Sequence, residues 1–174
     1  MKRKELNIIK TKLEPFSILA EQWMILSAGD FTNRNFNFMT IAWGSFGTMW
    51  FKPFVMVVVR PPRHTFSFME NSDSFTVSAF PDEFRDDLTF CGKNSGRDTD
   101  KVKSTKLTPE ASKKISAPSF KEAELILECK KIYFDDFRPE NFIDSGIEQY
   151  YPAKDYHRIY FGEVLYAEGT EKYS

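Results

Sequence analysis

The sequence predicts a mainly β fold, a barrel with a few short helices, and three observations carry that expectation. The run Phe54-Val55-Met56-Val57-Val58-Val59 is too short for a membrane span and dense in β-branched residues, so it reads as a strand buried on both faces. Ala123, Leu125, Leu127 and Cys129 alternate with Glu122, Glu124, Ile126 and Glu128, the pattern of a long strand that is mostly half exposed. Several more short apolar runs lie between clusters of Gly, Pro, Asn and Asp, whereas stretches with helical spacing are few.

Taken in order, residues 1–13 are charged and read as a mobile lead-in, with Pro15 marking entry to the fold. Trp23-Met24-Ile25-Leu26-Ser27-Ala28 is a first buried strand. Gly29-Asp30 opens a polar turn, and the chain returns from Asn37 as the second arm of a hairpin. Gly44 and Gly47 are expected to interrupt regular pairing, since glycine weakens a strand and lets another group approach the backbone. A turn at Lys52-Pro53 leads into the central strand, which delivers the chain to Arg60-Pro61-Pro62-Arg63. A short helix follows in the stretch 60–71, with Thr65 as its cap and Phe66, Phe68 and Met69 as its apolar positions. Ser74-Phe75-Thr76-Val77-Ser78-Ala79-Phe80 is a further strand. Residues 83–90 form a helix started at Asp82, residues 91–98 a glycine-rich loop, and residues 101–107 a helical turn. Ile132-Tyr133-Phe134 continues the alternating strand after a bend, Pro139 begins a short helix, and Tyr150-Tyr151-Pro152 is an aromatic loop. The last strand starts at His157 and reaches Tyr166.

With 174 residues the chain is read as one domain, large enough to bury roughly 70% of its unfolded surface. Aromatic residues make up 16% of it, 18 of them Phe, so the core or an interface is rich in flat rings. A formal net charge of −1 argues against broad nucleic-acid binding. The basic start, Lys2-Arg3-Lys4, is followed by Glu5 where a signal peptide needs an apolar run, and no stretch is long enough to span a bilayer. Two cysteines, Cys91 and Cys129, make no disulfide framework, and a reducing, cytoplasmic setting fits best.

Familiar catalytic signatures are absent: no G-x-G-x-x-G after a strand, no P-loop, no serine nucleophile elbow. His64 and His157 are the two imidazoles and the cysteines are far apart, so no zinc site is expected. What remains is a set of parts. Arg60, Arg63 and Thr65 are placed to hold a phosphate, or else form a solvated turn with Thr65 as an ordinary cap. The stretch Thr40-Ile41-Ala42-Trp43-Gly44-Ser45 offers backbone N–H groups beside a tryptophan, as a flat heteroaromatic ring needs; the plainer reading is a strand end with a core tryptophan. The stretch 91–101, from Cys91 and Gly92 through Ser95 and Gly96 to Lys101, adds N–H donors and cations, though most such loops face solvent. His157 is either a ring donor near a reaction centre or a satisfied core residue.

Asn37-Phe38-Met39-Thr40-Ile41-Ala42-Trp43-Gly44, Lys52-Pro53, Arg60-Pro61-Pro62-Arg63-His64-Thr65, Phe90-Cys91-Gly92-Lys93-Asn94-Ser95-Gly96-Arg97-Asp98 and His157-Arg158-Ile159-Tyr160-Phe161-Gly162-Glu163-Val164 follow one another in this sequence. As an ordered series, over residues 23–164, they resemble the FMN-binding split-barrel flavin reductases, in the flavoredoxin-like branch. The resemblance implies a six-stranded antiparallel split barrel, usually a homodimer, with one noncovalent FMN per subunit near the dimer interface. Thr40, Ala42, Trp43, Gly44 and Ser45 would border the isoalloxazine ring and ribityl chain. Arg60, Arg63 and Thr65 would take the phosphate, and Ser95, Gly96 and Lys101 would close over the cofactor, with Cys91 and Gly92 at the start of that loop. His157 matches the histidine near which a nicotinamide would stack. The sequence departs from the family pattern in Tyr156 and Arg158 around that histidine and in an insertion-like segment, residues 138–155. The function implied is an oxidoreductase that accepts hydride from NADH or NADPH and passes electrons to a flavin, a small acceptor or a redox protein. Two alternatives are an FMN electron carrier that does not use pyridine nucleotides and a non-catalytic barrel that binds a small ligand.

Overall fold

The structure is a computed structural model that describes residues 2–174. In chain order its strands are β1 (Lys4–Glu5), β2 (Met24–Asp30), β3 (Asn35–Ile41), β4 (Gly44–Met49), β5 (Lys52–Val59), β6 (Ser74–Ala79), β7 (Pro109–Glu110), β8 (Ser119–Phe120), β9 (Leu125–Asp136) and β10 (Arg158–Gly169). The small pair β7-β8 stands apart. The main sheet runs β3-β2-β6-β9-β10-β5-β4, all antiparallel, with β1 added beside β10. Its two ends, β3 and β4, are consecutive in the chain yet not paired with each other. Ala42 and Trp43 cross the gap between them, and this gap is the split of the barrel.

The six strands read from the sequence are β2, β3, β5, β6, β9 and β10, and the larger total comes from β4 and the short pairs. The interruption expected at Gly44 and Gly47 is absent: β4 pairs with β5 from Gly44↔Val57 to Met49↔Lys52. Gly44 lets the two backbones close up, since a Cβ there would sit 2.6 Å from Met56 O. The hairpin turn is Trp50-Phe51 rather than Lys52-Pro53, with φ at +53° and +58°. That is the left-handed geometry a two-residue hairpin demands, here adopted by two exposed aromatic residues in place of the usual Asn-Gly.

Both faces of the sheet are used. Met24, Leu26, Val55, Val57, Val59, Phe75, Val77, Leu127 and Tyr160 fill the barrel, while Ile25, Phe38, Phe80, Leu88, Cys91, Phe120 and Ile126 form a second cluster outside it. Consequently Leu125 through Cys129 are all buried, not half exposed, because the chain around Leu88, Leu107 and Phe120 covers their outer face. The interleaved carboxylates survive burial by pairing. Glu128 accepts from the Lys113 and Lys114 amides at 2.7 Å each, and Glu124 Oε1 accepts from Gln22, Lys172 and Tyr173.

The helices are short: α1 (Pro15–Ser17), α2 (His64–Asn71), α3 (Arg85–Lys93) and α4 (Lys101–Ser104). The cap of α2 falls at Arg63, so Thr65 is not the cap. It lies buried in the first turn and accepts a hydrogen bond from Asn37 Nδ2 at 2.8 Å. Helix α3 runs past Phe90 to Lys93, which puts Cys91 and Gly92 in the helix and leaves the loop to begin at Asn94. The lead-in expected to be mobile is docked over its described part. Lys4 and Glu5 pair with Gly169 and Glu168, Leu6 is buried, and Arg3 bonds Glu110 at 2.6 Å and Glu168 at 2.9 Å. Met1 lies outside the described residues. Among those residues no helix is long and apolar enough to cross a membrane.

Candidate functional site

The split opens into a cleft. Its wide part, about 470 Å³, is lined by the end of β3 and the crossing (Met39, Thr40, Ile41, Ala42, Trp43), by Val58 and Arg60 where β5 runs out, and by Pro62, Arg63, Asp155 and His157. A narrower pocket of about 200 Å³ lies between residues 62–65 and residues 93–98, the end of α3 and the loop after it, with Asn37 and Lys101 behind it. Met39, Pro62 and Arg63 line both, so the two parts adjoin and Arg63 stands at the joint.

The narrow part is held by polar contacts to backbone. Arg63 Nη2 donates to Gly92 O at 2.7 Å, and Arg97 Nη1 donates to Pro62 O at 2.9 Å. Burial and the neighbouring Arg60 both lower the Arg63 pKa, the direction produced when like charges crowd an incompletely solvated corner. Burial, then Arg97 and Lys101, lower that of His64 as well, and its Nδ1 is buried without a partner among the described residues. Gly96 is required by space: a Cβ there would collide with Asn37 Oδ1 and press on the His64 ring. A corner with surplus cations, an unpartnered imidazole nitrogen and a loop closed to within backbone distance is suited to an anion.

The wide part is aromatic. Trp43 is 47% exposed, its ring 5.2 Å from that of His157 and 5.9 Å, edge-on, from that of Tyr150. Tyr151 is buried, with its hydroxyl 2.8 Å from His157 Nδ1. Burial first, and then the Arg60 charge, push the His157 pKa down to about 4, so the ring is neutral at neutral pH. Arg60 forms an ion pair with Asp155 and lies 5.5 Å over the Tyr151 ring, while its Nε is buried without a partner among the described residues. The insertion-like segment therefore supports this side of the site: Asp155 lines the cleft, and Tyr150 and Tyr151 pack behind Trp43 and His157.

Of the candidates read from the sequence, Thr40, Ala42, Trp43, Arg60, Arg63 and His157 line the wide part, and Arg63, Thr65, Ser95, Gly96 and Lys101 the narrow part. Arg60 thus lines the wide part and not the narrow one. Gly44 and Ser45 continue into β4 and line neither part. Cys91 is a core residue of the second cluster, its thiol pushed up to about 11 by burial, and it does not face the cleft. Gly92 contributes a carbonyl to Arg63 and packs against Thr40, where a Cβ would sit 3.4 Å away. Lys101 turns inward, donating from Nζ to Phe38 O at 2.7 Å and Cys91 O at 3.2 Å, and burial lowers its pKa to about 8. It ties β3 to α3 behind the narrow pocket. Sequence reasoning missed Asp155, Tyr151 and the orphaned His64 nitrogen. The first two lie within six residues of His157, the one signal that pointed to them. Among the described residues no group of His, Cys, Asp and Glu side chains could hold a metal ion.

An antiparallel barrel split at one seam, with a cleft set in the seam, defines the class. Residues 16–172 match the model of the flavin reductase like domain, and the chain belongs to that family. Solved structures share its fold. Flavoredoxin of Desulfovibrio vulgaris is similar at 20% identity and a TM-score of 0.67, over 91% of this chain and 72% of that one. Flavoredoxin from Methanosarcina acetivorans matches at 20% identity and a TM-score of 0.67, over 100% and 78%. An FMN-binding domain of a flavin reductases-like enzyme from Shewanella baltica matches at 17% identity and a TM-score of 0.68, over 97% and 77%. Among curated proteins there is no significant match.

Proposed function

We propose that this protein binds FMN noncovalently and is an oxidoreductase that takes hydride from NADH or NADPH and passes electrons to a flavin, a small acceptor or a redox protein. The observation that carries this reading is the pair of adjoining spaces: a wider cleft bordered by Trp43 and His157 beside a small cation-rich corner, with Arg63 between them. A phosphorylated tricyclic ring has that shape and charge distribution, and the cleft is within the roughly 300–1,000 Å³ range of cofactor sites. Family membership and the FMN-binding neighbour support the same cofactor.

In that arrangement the bound flavin supplies the hydride and electron chemistry, and the chain supplies position and field. Arg63, the Ser95 hydroxyl and the backbone N–H groups of the loop hold the phosphate. The edge of β3 at Met39 and Thr40 and the Ala42-Trp43 crossing border the ring, and His157 stands where a nicotinamide would stack. The two reduced, buried thiols fit a cytoplasmic setting. The test is an anaerobic titration of the FMN-loaded protein with NADPH and with NADH. Bleaching of the oxidised-flavin absorption by either nucleotide is expected. Failure of the protein to acquire that absorption from added FMN refutes the cofactor, and bound flavin that neither nucleotide reduces leaves an electron carrier.

We also infer a homodimer. Phe54, Phe161, Tyr133 and Trp50 form a chain of rings on the outer face of the sheet, with centroids 5.2, 5.8 and 6.1 Å apart in succession. This face continues along β5 to Val58 in the cleft wall, so a second copy seated on it would border the cofactor. Sedimentation of the wild type as a dimer and of Trp50→Lys/Tyr133→Lys as a monomer is expected; a monomeric wild type at micromolar concentration overturns it.

A further inference from the structure

We propose that Tyr151 is a positioning residue that fixes the tautomer of His157, so that the ring end of the cleft offers a neutral Nε2–H donor to a carbonyl or carboxamide oxygen. The identity of the occupant rests on the function proposed above; the tautomer does not.

The Tyr151 hydroxyl lies 2.8 Å from His157 Nδ1, and among the described residues it has no other partner. Tyr151 is only 3% exposed. Had Nδ1 carried the imidazole proton, that N–H would donate to the phenol oxygen and the phenol hydrogen would be left without an acceptor, at a cost of about 1–3 kcal/mol for a buried donor. With the hydroxyl donating, Nδ1 accepts and the single imidazole proton sits on Nε2. Because Nδ1 is occupied, Nε2 is the ring nitrogen left for a molecule in the cleft that His157 lines.

Tyr151 is itself held firmly enough to impose this choice. Its ring stacks on Phe142 at 12° and packs 4.9 Å from Tyr156, with the Arg60 guanidinium over it. The charged groups facing His157 are Arg60 and Arg63 from the end of β5 and Asp155 from its own segment, and Asp155 is spent on Arg60. Burial and the two arginines keep the imidazole uncharged. A neutral donor serves a neutral acceptor oxygen, and the imidazole itself adds no charge to attract a carboxylate.

The test reads nitrogen directly. In ¹⁵N-histidine-labelled full-length protein there are two imidazoles to assign, His64 and His157, and His157→Gln identifies them. The expected wild-type pattern for His157 at pH 7 is a protonated Nε2 and an unprotonated, hydrogen-bonded Nδ1. In Tyr151→Phe the two tautomers should average while the ring stays neutral at pH 7, because the burial and the arginines that lower its pKa remain, with the His64 signals unchanged as a check on folding. A wild-type ring protonated on Nδ1 overturns the proposal without any variant, as does an unchanged His157 pattern in Tyr151→Phe. For the occupant, benzamide and its isostere benzoate are the probes. Benzamide should move the Nε2 resonance at concentrations where benzoate does not. Equal or stronger perturbation by benzoate, or none by either, refutes the carbonyl preference. Loss of flavin reduction by nucleotides leaves these nitrogen spectra readable, so failure of the proposed function and failure of this inference are separate results.

Discussion

The two ends of the cleft are built on different terms. The narrow pocket comes from two compact pieces of sequence, residues 62–65 and 92–98, and its joints are side chain to backbone: Arg63 to Gly92 O, Arg97 to Pro62 O. The wide part gathers Trp43 from one stretch and Tyr151 and His157 from another, and its joints are mostly ring edges 5–6 Å apart. Hydrogen bonds to fixed carbonyls define one geometry, whereas ring contacts tolerate several. The contrast teaches where a cofactor would be gripped and where a substrate could enter, since a tight corner suits a permanent phosphate and an adaptable mouth suits molecules that come and go.

That contrast can be broken by measurement. Arg63→Ala is expected to weaken FMN binding about 10- to 150-fold, from the roughly 1.5–3 kcal/mol of a hydrogen bond to a charged group, as read by fluorescence titration. Removing the other arginine with its partner, as Arg60→Ala/Asp155→Ala, should change the same constant by less than about threefold, because Arg60 is already paired with Asp155 and lines the wide part, not the narrow pocket. Equal losses in both variants would mean that the phosphate sits between the arginines and that the corner has been drawn too narrowly. The smallest effect concerns pH. His157 has its folded pKa held at about 4 against 6.5 for the free side chain. Between those values the unfolded chain binds more protons, so this residue's contribution to stability is complete above pH 6.5 and is lost as pH falls toward 4. The difference in melting temperature between wild type and His157→Gln should therefore shift in favour of Gln across that window, and a difference independent of pH would refute the assignment.

Much of this arrangement is legible in the sequence because it depends on local chemistry. The β-branched run 54–59, the proline-stiffened Arg60 to Arg63 corner and the glycine at 96 each act through neighbours close in the chain. The misreadings share a cause too. Gly44 and Gly47 look like strand breakers, yet a paired strand tolerates a glycine where backbones approach closely. Cys91 looks like part of a glycine-rich loop, but Leu88 and Cys91 supply an apolar face that carries α3 through Gly92 to Lys93. The alternating strand β9 reads as half exposed because its glutamates find partners only through chain far away, at Lys113, Lys172 and Tyr173. Asp155 on Arg60 and Tyr151 on His157 belong to the same kind: they are tertiary facts, set by how residues 137–157 fold back over the split.

The two thiols occupy separate compartments, Cys129 inside the barrel and Cys91 in the outer cluster, both sealed and both pushed toward the protonated form. They cannot meet to form a disulfide, nor can either become a ready thiolate. The polypeptide is thus electrochemically silent at its sulfurs. The electron count of a reductive titration of the FMN-loaded protein would then belong to the proposed cofactor, with no share from the thiols.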